Sequence, residues 1–298
     1  MDGRFKKTFG QHILKNPGIV TNMIDKAKIK PTDTVLEIGP GTGNLTLKLL
    51  DKCKRVVAIE KDRKIASDLI KRIGARKNKL QLLIEDAIDA NYPYFDLCVS
   101  NTPYQISSPL VFKLLEYPFR ACVLMFQKEF ADRLCAAPGT SSYCRLSVSV
   151  QIRAVVTHIM RVSKKNFRPP PKVESSIVKI EPRRNKVDID LTEFDGMLRI
   201  CFSRKNKTIG SIFRQNTIKN LLFMNRDKIA DIAEEDDTLA EPALTEEPSR
   251  KISPEQEAIL NKVLEESKLE KERAAKMIVE DFLFLLIKFK EAGISFKA

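Results

Sequence analysis

The chain of 298 residues is poor in the side chains that build metal and disulfide sites. Only His12 and His158 could supply imidazole, so a histidine-based metal centre is not expected. The six cysteines (Cys53, Cys98, Cys122, Cys135, Cys144 and Cys201) are scattered without a CxxC pair. Cys98 and Cys122 fall inside apolar runs, where a thiol behaves as a small hydrophobe. This usage argues against disulfides and structural zinc and fits a reducing compartment. Long hydrophobic runs are also missing: the densest, "FLFLLIKF" from Phe282 to Phe289, is broken by Lys288 and falls far short of the ~20 apolar residues that span a bilayer. It reads as a buried helix. No N-terminal apolar segment and no internal repeat are apparent.

What the chain does have is positive charge, unevenly placed. Residues 231–298 carry 10 Lys and Arg against 17 Asp and Glu, a net −7 in a chain total of +13, so residues 1–230 carry +20. A basic surface of that size is the usual footprint of a polyanion, most often nucleic acid. From about Thr34 the sequence alternates short apolar runs with amphipathic stretches, the pattern of a parallel α/β sheet. Two later stretches, "RLSVSVQIRAVVTHIMRV" and "SSIVKIEP", read as strands completing that sheet. Between them the three prolines of "FRPPPK" predict an extended loop. After Pro182 the periodicity is helical, over Phe194 to Phe213 and Glu255 to Phe289. Within this region Glu234 to Ser249 holds seven acidic residues, no basic one and two prolines, which predicts a mobile loop over 234–249.

"VLEIGPGTGNLT" sets Gly39, Gly41 and Gly43 directly between a strand and a helix, where the chain can turn tightly and a ligand can approach its backbone. The next strand, "VVAIE", ends on Glu60, placed to accept hydrogen bonds from both hydroxyls of a ribose. The third strand is followed by "IEDAID", with Asp86 at the same sheet edge, in reach of an adenine amine. The spacing GxGxG is neither the GxGxxG of dinucleotide folds nor a Walker loop, since no Gly-Lys-Ser/Thr follows. It looks like the S-adenosylmethionine site of class I methyltransferases, with a nicotinamide oxidoreductase as the competing reading.

The fourth strand ends in "NTPY", at the edge shared by Gly39, Glu60 and Asp86. An adenine amino group is a poor nucleophile, because its lone pair is delocalised into the ring. The Asn101 side-chain oxygen and the Thr102 carbonyl can each accept an N–H bond and aim that lone pair at an electrophilic methyl. Pro103 would fix the loop, and Tyr104 would stack on the extracted base. Cytosine C5 methylation is set aside, since it needs a Pro-Cys nucleophile and no such pair occurs.

The tetrapeptide resembles the Asn/Asp-x-Pro-Tyr signature of amino-methyltransferases. Together with "FGQHILKNPGIV", "MFQKEFADRL", "NFRPPPKVESSIVKIEP", "FSRKNKTIGSIF" and the C-terminal "KMIVEDFLFLLIKFKEAGISF", the chain resembles the small-subunit ribosomal RNA adenine dimethyltransferase family, eukaryotic branch. The resemblance implies a class I methyltransferase domain over residues 1–183, Rossmann-like with a mostly parallel sheet, and a smaller helical domain over 184–298. It implies S-adenosylmethionine as cofactor, covered by Gln11, His12 and Leu14, with Gly39 under its methionine part, Gly41 and Gly43 completing the loop, Glu60 on the ribose, Asp86 at the adenine, and Asn101 between cofactor and target base. Phe167 is implied as the second aromatic of the target-adenine pocket, opposite Tyr104. Arg204, Lys205 and Lys207 would grip RNA phosphates without reading sequence.

The activity so implied is dimethylation of two adjacent adenosines near the 3′ end of small-subunit rRNA. It would act as a monomer on rRNA and pre-ribosomal particles, in the nucleus and nucleolus and extending to the cytoplasm, with no membrane and no metal. The alternative is a ribosome-assembly factor in which methylation is secondary. "GQHIL" begins at Gly10, which leaves no room for a cleavable transit peptide of typical length and weighs against a mitochondrial relative. A DNA adenine methyltransferase would share the tetrapeptide but needs a target-recognition region for which no candidate appears.

Overall fold

The computed structural model describes residues 13–185, 187–223 and 252–297. These fall into two compact units: residues 13–135 with 153–185, and residues 136–152 with 187–223 and 252–297. The predicted acidic loop 234–249, and Gln11 and His12, lie outside the described residues.

The first unit is built on a seven-stranded sheet. Its strands are β2 (Thr34–Ile38), β3 (Arg55–Ile59), β4 (Leu80–Leu83), β5 (Leu97–Asn101), β6 (Ala121–Gln127), β7 (Ala154–Val162) and β9 (Ser175–Pro182). The order is β4-β3-β2-β5-β6-β9-β7, with the first five parallel and β9 antiparallel to both β6 and β7. The parallel strands read as near-continuous apolar runs because helices cover them, and "VVAI" and "CVLMF" are fully buried. β1 (Ile13–Leu14) and β8 (Phe167–Arg168) form a separate two-stranded ribbon. Helices α1 (Pro17–Ala27), α2 (Asn44–Leu50), α3 (Arg63–Ile73), α4 (Ser107–Leu114) and α5 (Lys128–Cys135) complete the unit. Asn16 caps α1 and Asp62 caps α3 through bonds from backbone N–H groups of the first turn.

All five parallel strands end at one edge, so their C-terminal loops gather there. The opposite edge is fastened by Asp33, Asp96 and Arg120, each the residue just before β2, β5 and β6. Asp33 accepts from the Arg120 guanidinium at 2.6 and 3.1 Å, and Asp96 accepts from the Thr34 N–H at 2.8 Å.

The second unit is helical: α6 (Arg145–Gln151), α7 (Leu191–Phe202), α8 (Ile209–Phe213), α9 (Asn216–Phe223), α10 (Pro254–Ser267) and α11 (Val279–Glu291). Its core packs Phe202 against Phe282, and Phe213 against Phe289, with tilted rings. Here the structure departs from the sequence expectation. Arg145–Gln151 is a helix, and strand structure begins only at Ala154. "LSVSV" alternates Ser with apolar residues, yet all five positions are buried, so the alternation does not mark a solvent face. Val148 and Ile152, one helical turn apart, enter the same core cluster as Phe194 and Phe282.

Candidate active site

β2 runs into three glycines with left-handed backbone: Gly39 (φ 63°), Gly41 (φ 55°) and Gly43 (φ 82°). Gly39 donates its N–H to Ile59 O at 2.9 Å, and a Cβ there would come within 3.1 Å of the Pro103 ring. The glycine loop and the tetrapeptide are thus in contact. Gly43 serves packing instead. A Cβ there would lie 2.5 Å from Leu69, so glycine is what lets α2 start against α3. Gly39 and Gly41 line a cavity of about 330 Å³, whereas Gly43 does not.

Carboxylates at the ends of β3 and β4 face the same space. Glu60 is buried, and its carboxylate accepts from the Asp62 N–H at 3.1 Å and the Gly41 N–H at 3.4 Å. Burial raises its pKa above the ordinary carboxylate value despite those bonds. Asp86 accepts from Lys61 Nζ at 2.6 Å and the Ile88 N–H at 2.9 Å, which hold its carboxyl below the usual range.

A third carboxylate was missed by sequence reasoning. Glu37 lies inside β2, lines the cavity and is only 2% exposed. Its Oε2 and the hydroxyl of Thr46 beside it make no hydrogen bond of good geometry among the described residues, although that hydroxyl is near enough to oppose part of the rise in the Glu37 pKa. Burial, then the neighbouring Glu60 charge, push Glu37 up to about 8. The available signal was an acid inside an apolar strand, since a carboxylate is almost never fully buried unless paired.

Asn101 closes β5 at the cavity rim. The Thr102 hydroxyl turns inward to Met125 O, so its side chain is spent on the fold and its carbonyl is the group left for a ligand. Pro103 holds φ −62°, and the single 3-10 turn from Tyr104 to Ile106 follows. The Tyr104 hydroxyl is 2.6 Å from that of Ser175 in β9. Asn101, Thr102, Pro103 and Tyr104 line the cavity with Leu14, Gly39, Gly41, Glu60 and Asp86. Leu14 enters through the ribbon, fixed by a 2.9 Å bond from the Asn44 amide to its carbonyl.

Phe167 is placed elsewhere: it is 1% exposed, sits opposite Leu14 in the ribbon and does not line the cavity. Its ring belongs to the apolar core with Met23 and Ile177. Arg204, Lys205 and Lys207 form the turn after α7 in the second unit. Arg204 and Lys207 are exposed, while Lys205 is half-buried and reaches Ser141 O at 3.4 Å.

Comparison with known proteins identifies the family of the chain. The model of the ribosomal RNA adenine dimethylase family matches residues 3–246. A probable dimethyladenosine transferase of Dictyostelium discoideum is 48% identical over 99% of this chain and 91% of its own length. The dimethyladenosine transferase of Saccharomyces cerevisiae is 47% identical over 98% and 91%. The crystal structure of a Plasmodium falciparum dimethyladenosine transferase superposes with a TM-score of 0.81 at 41% identity, covering 96% of this chain and all of that one. The 23S rRNA methyltransferase ErmE shares the fold, with a TM-score of 0.63 at 21% identity over 93% and 99%. The chain belongs to the eukaryotic branch of the ribosomal RNA adenine dimethylase family, and is an rRNA adenine N6,N6-dimethyltransferase whose cofactor is S-adenosylmethionine.

Proposed function

We propose that this enzyme dimethylates two adjacent adenosines near the 3′ end of small-subunit rRNA, as a monomer acting on pre-ribosomal particles in the nucleolus. The observation that carries the reading is that Asn101 and Tyr104 stand on the rim of the same cavity as Gly39 and Glu60, with Pro103 against Gly39.

The cavity fits S-adenosylmethionine on one observation above all. Glu37 Oε2 is a buried acceptor with no partner among the described residues, beside a second buried carboxylate. A cationic ligand relieves both the missing bond and the repulsion. Glu37 would take the α-ammonium group, Glu60 the ribose hydroxyls and Asp86 the adenine amine, with Leu14 covering the apolar side. The bound cofactor supplies a sulfonium methyl as electrophile.

The protein's own groups then prepare the nucleophile. The Asn101 side-chain oxygen and the Thr102 carbonyl accept the two N–H bonds of the target amine and turn its lone pair toward the methyl. Tyr104 stacks on the flipped base. No general base is required before attack, because the nitrogen becomes acidic once alkylated. After one transfer the amine keeps a single N–H, so one acceptor suffices for the second.

The test supplies labelled S-adenosylmethionine and unmethylated small-subunit particles, followed by nucleoside mass analysis. Dimethyladenosine in adjacent positions, lost in Asn101→Ala and Tyr104→Ala, is the expected outcome. Cofactor and particle binding without dimethyladenosine would overturn the small-subunit assignment.

A further inference from the structure

Beside the cavity, five cations gather on the ribbon and its flanks. β1 and β8 pair antiparallel, Ile13 opposite Arg168 and Leu14 opposite Phe167. The pairing continues as a 2.8 Å bond from the Lys15 N–H to Asn166 O and a 3.0 Å bond between the Asn16 and Asn166 side chains. This brings Lys15 to the segment holding Lys164, Lys165, Arg168 and Lys172. All five are exposed, and their side chains make no hydrogen bond or ion pair among the described residues. Residues 163–173 contain four cations and no carboxylate. Some other surface cations are paired with acids, as Lys288 is with Glu291 and Arg214 with Glu270.

The ribbon is also built into the cavity wall. Ile13 and Leu14 line the cavity, and Asn44, at the start of α2, both lines it and bonds Leu14 O. The backbone of the cation-bearing segment is therefore held in register with the cofactor loop. A solvated lysine face needs no such framing.

We propose that this ribbon is the docking surface for the phosphates of a single-stranded RNA segment whose base enters the cavity. A methylated amine must be out of the stack, so the chain beside it is unpaired and its phosphates are free to follow an extended row of cations. Arg168 and Lys172 flank the rigid prolines 169–171, which hold the two charges apart without using backbone donors. The contact is sequence-independent: it sets where the strand lies, while Asn101 and Tyr104 engage the base. The proposal rests on rRNA adenine methylation and not on which rRNA site is modified.

The test compares two full-length variants of equal charge change. One carries Lys164→Gln, Lys165→Gln, Arg168→Gln and Lys172→Gln. The other neutralises Lys28, Lys30, Lys52 and Lys54, exposed residues near the strand starts at the opposite edge of the sheet. Binding of fluorescent single-stranded RNA, of rRNA and of unrelated sequence, is followed against salt. The ribbon variant is expected to lose roughly tenfold or more in affinity, and its log–log salt slope to flatten by about 0.7 per phosphate contact removed. Thermal stability and S-adenosylmethionine affinity stay at wild-type values, and the control variant changes little. Affinity and slope within twofold of wild type, or an equal loss in both variants, would overturn the proposal. If wild type binds RNA through the ribbon but forms no dimethyladenosine on small-subunit particles, the target assignment fails and the docking surface stands.

Discussion

The Tyr104 and Ser175 hydroxyls lie 2.6 Å apart, tying the turn after β5 to β9, which runs antiparallel to β6. Ser175 is fully buried, so this bond holds the tyrosine ring to the sheet rather than to solvent. Removing either hydroxyl leaves the other less satisfied, at about 1 kcal/mol. Tyr104→Phe and Ser175→Ala should each lower kcat for methyl transfer roughly fivefold with unchanged cofactor affinity. Because both break one bond, the double variant should be no worse than either single one. Additive losses would show that the two hydroxyls act separately.

The glycines of the loop after β2 separate into ligand approach and packing. Gly39→Ala pushes a methyl toward Pro103 at a left-handed position, shifting the tetrapeptide against the cofactor loop. Gly43→Ala drives one into Leu69, in the α2–α3 contact. Calorimetry and cofactor titration should divide accordingly. Gly43→Ala should lose about 2 kcal/mol of stability or more, and its cost should be smaller in a Leu69→Ala background than in wild type. Gly39→Ala should affect cofactor binding and methyl transfer more than melting.

These contrasts also explain what was legible in the residues. The glycine loop, Glu60, Asp86 and the tetrapeptide each lie at the end of an apolar parallel strand, and a parallel sheet brings such ends to one edge whatever the details of packing. Leu146 to Val150 could not be read the same way: alternation identifies a strand only when one face meets water, and here both faces are buried. Phe167 sits beside a proline-rich loop whose path sequence does not encode, and the ribbon turns its ring inward. Glu37 looks like a polar interruption of an apolar run until the sheet places it against Glu60.

At the edge opposite the cavity, Asp33 is buried and receives the Arg120 guanidinium and the Lys30 N–H. Burial alone would raise its pKa, but the Arg120 and Lys30 bonds outweigh it and hold the carboxyl below its ordinary value. A depressed carboxyl stabilises the fold above its unfolded pKa, and that contribution is lost as pH falls through the folded one. Asp33→Asn should therefore cost about 1–3 kcal/mol near neutral pH, with the difference from wild type shrinking as pH falls below about 4. Methyl transfer at a temperature where both are folded should be unchanged, because the clamp is remote from the cavity.

Glu37 has the opposite sign. Its carboxyl is raised to about 8 by burial and by Glu60, the charged group facing it, while Thr46 supplies the adjacent hydroxyl. The protonated form is the one the unliganded fold prefers, so its contribution is complete below the unfolded pKa and is lost as pH rises toward about 8. A ligand ammonium reverses the preference, since only the carboxylate accepts that bond with full strength. Binding of S-adenosylmethionine should then release a proton, and affinity should rise by up to about tenfold per pH unit between about pH 6 and 8. Calorimetry in buffers of different ionisation enthalpy would count that proton directly. Glu37→Gln keeps the shape and removes the charge: the unliganded protein should melt higher at pH 8 than wild type, with cofactor affinity roughly tenfold weaker and nearly independent of pH. An unchanged proton count in Glu37→Gln would assign the linkage to Glu60 instead, the other buried carboxylate at the cavity.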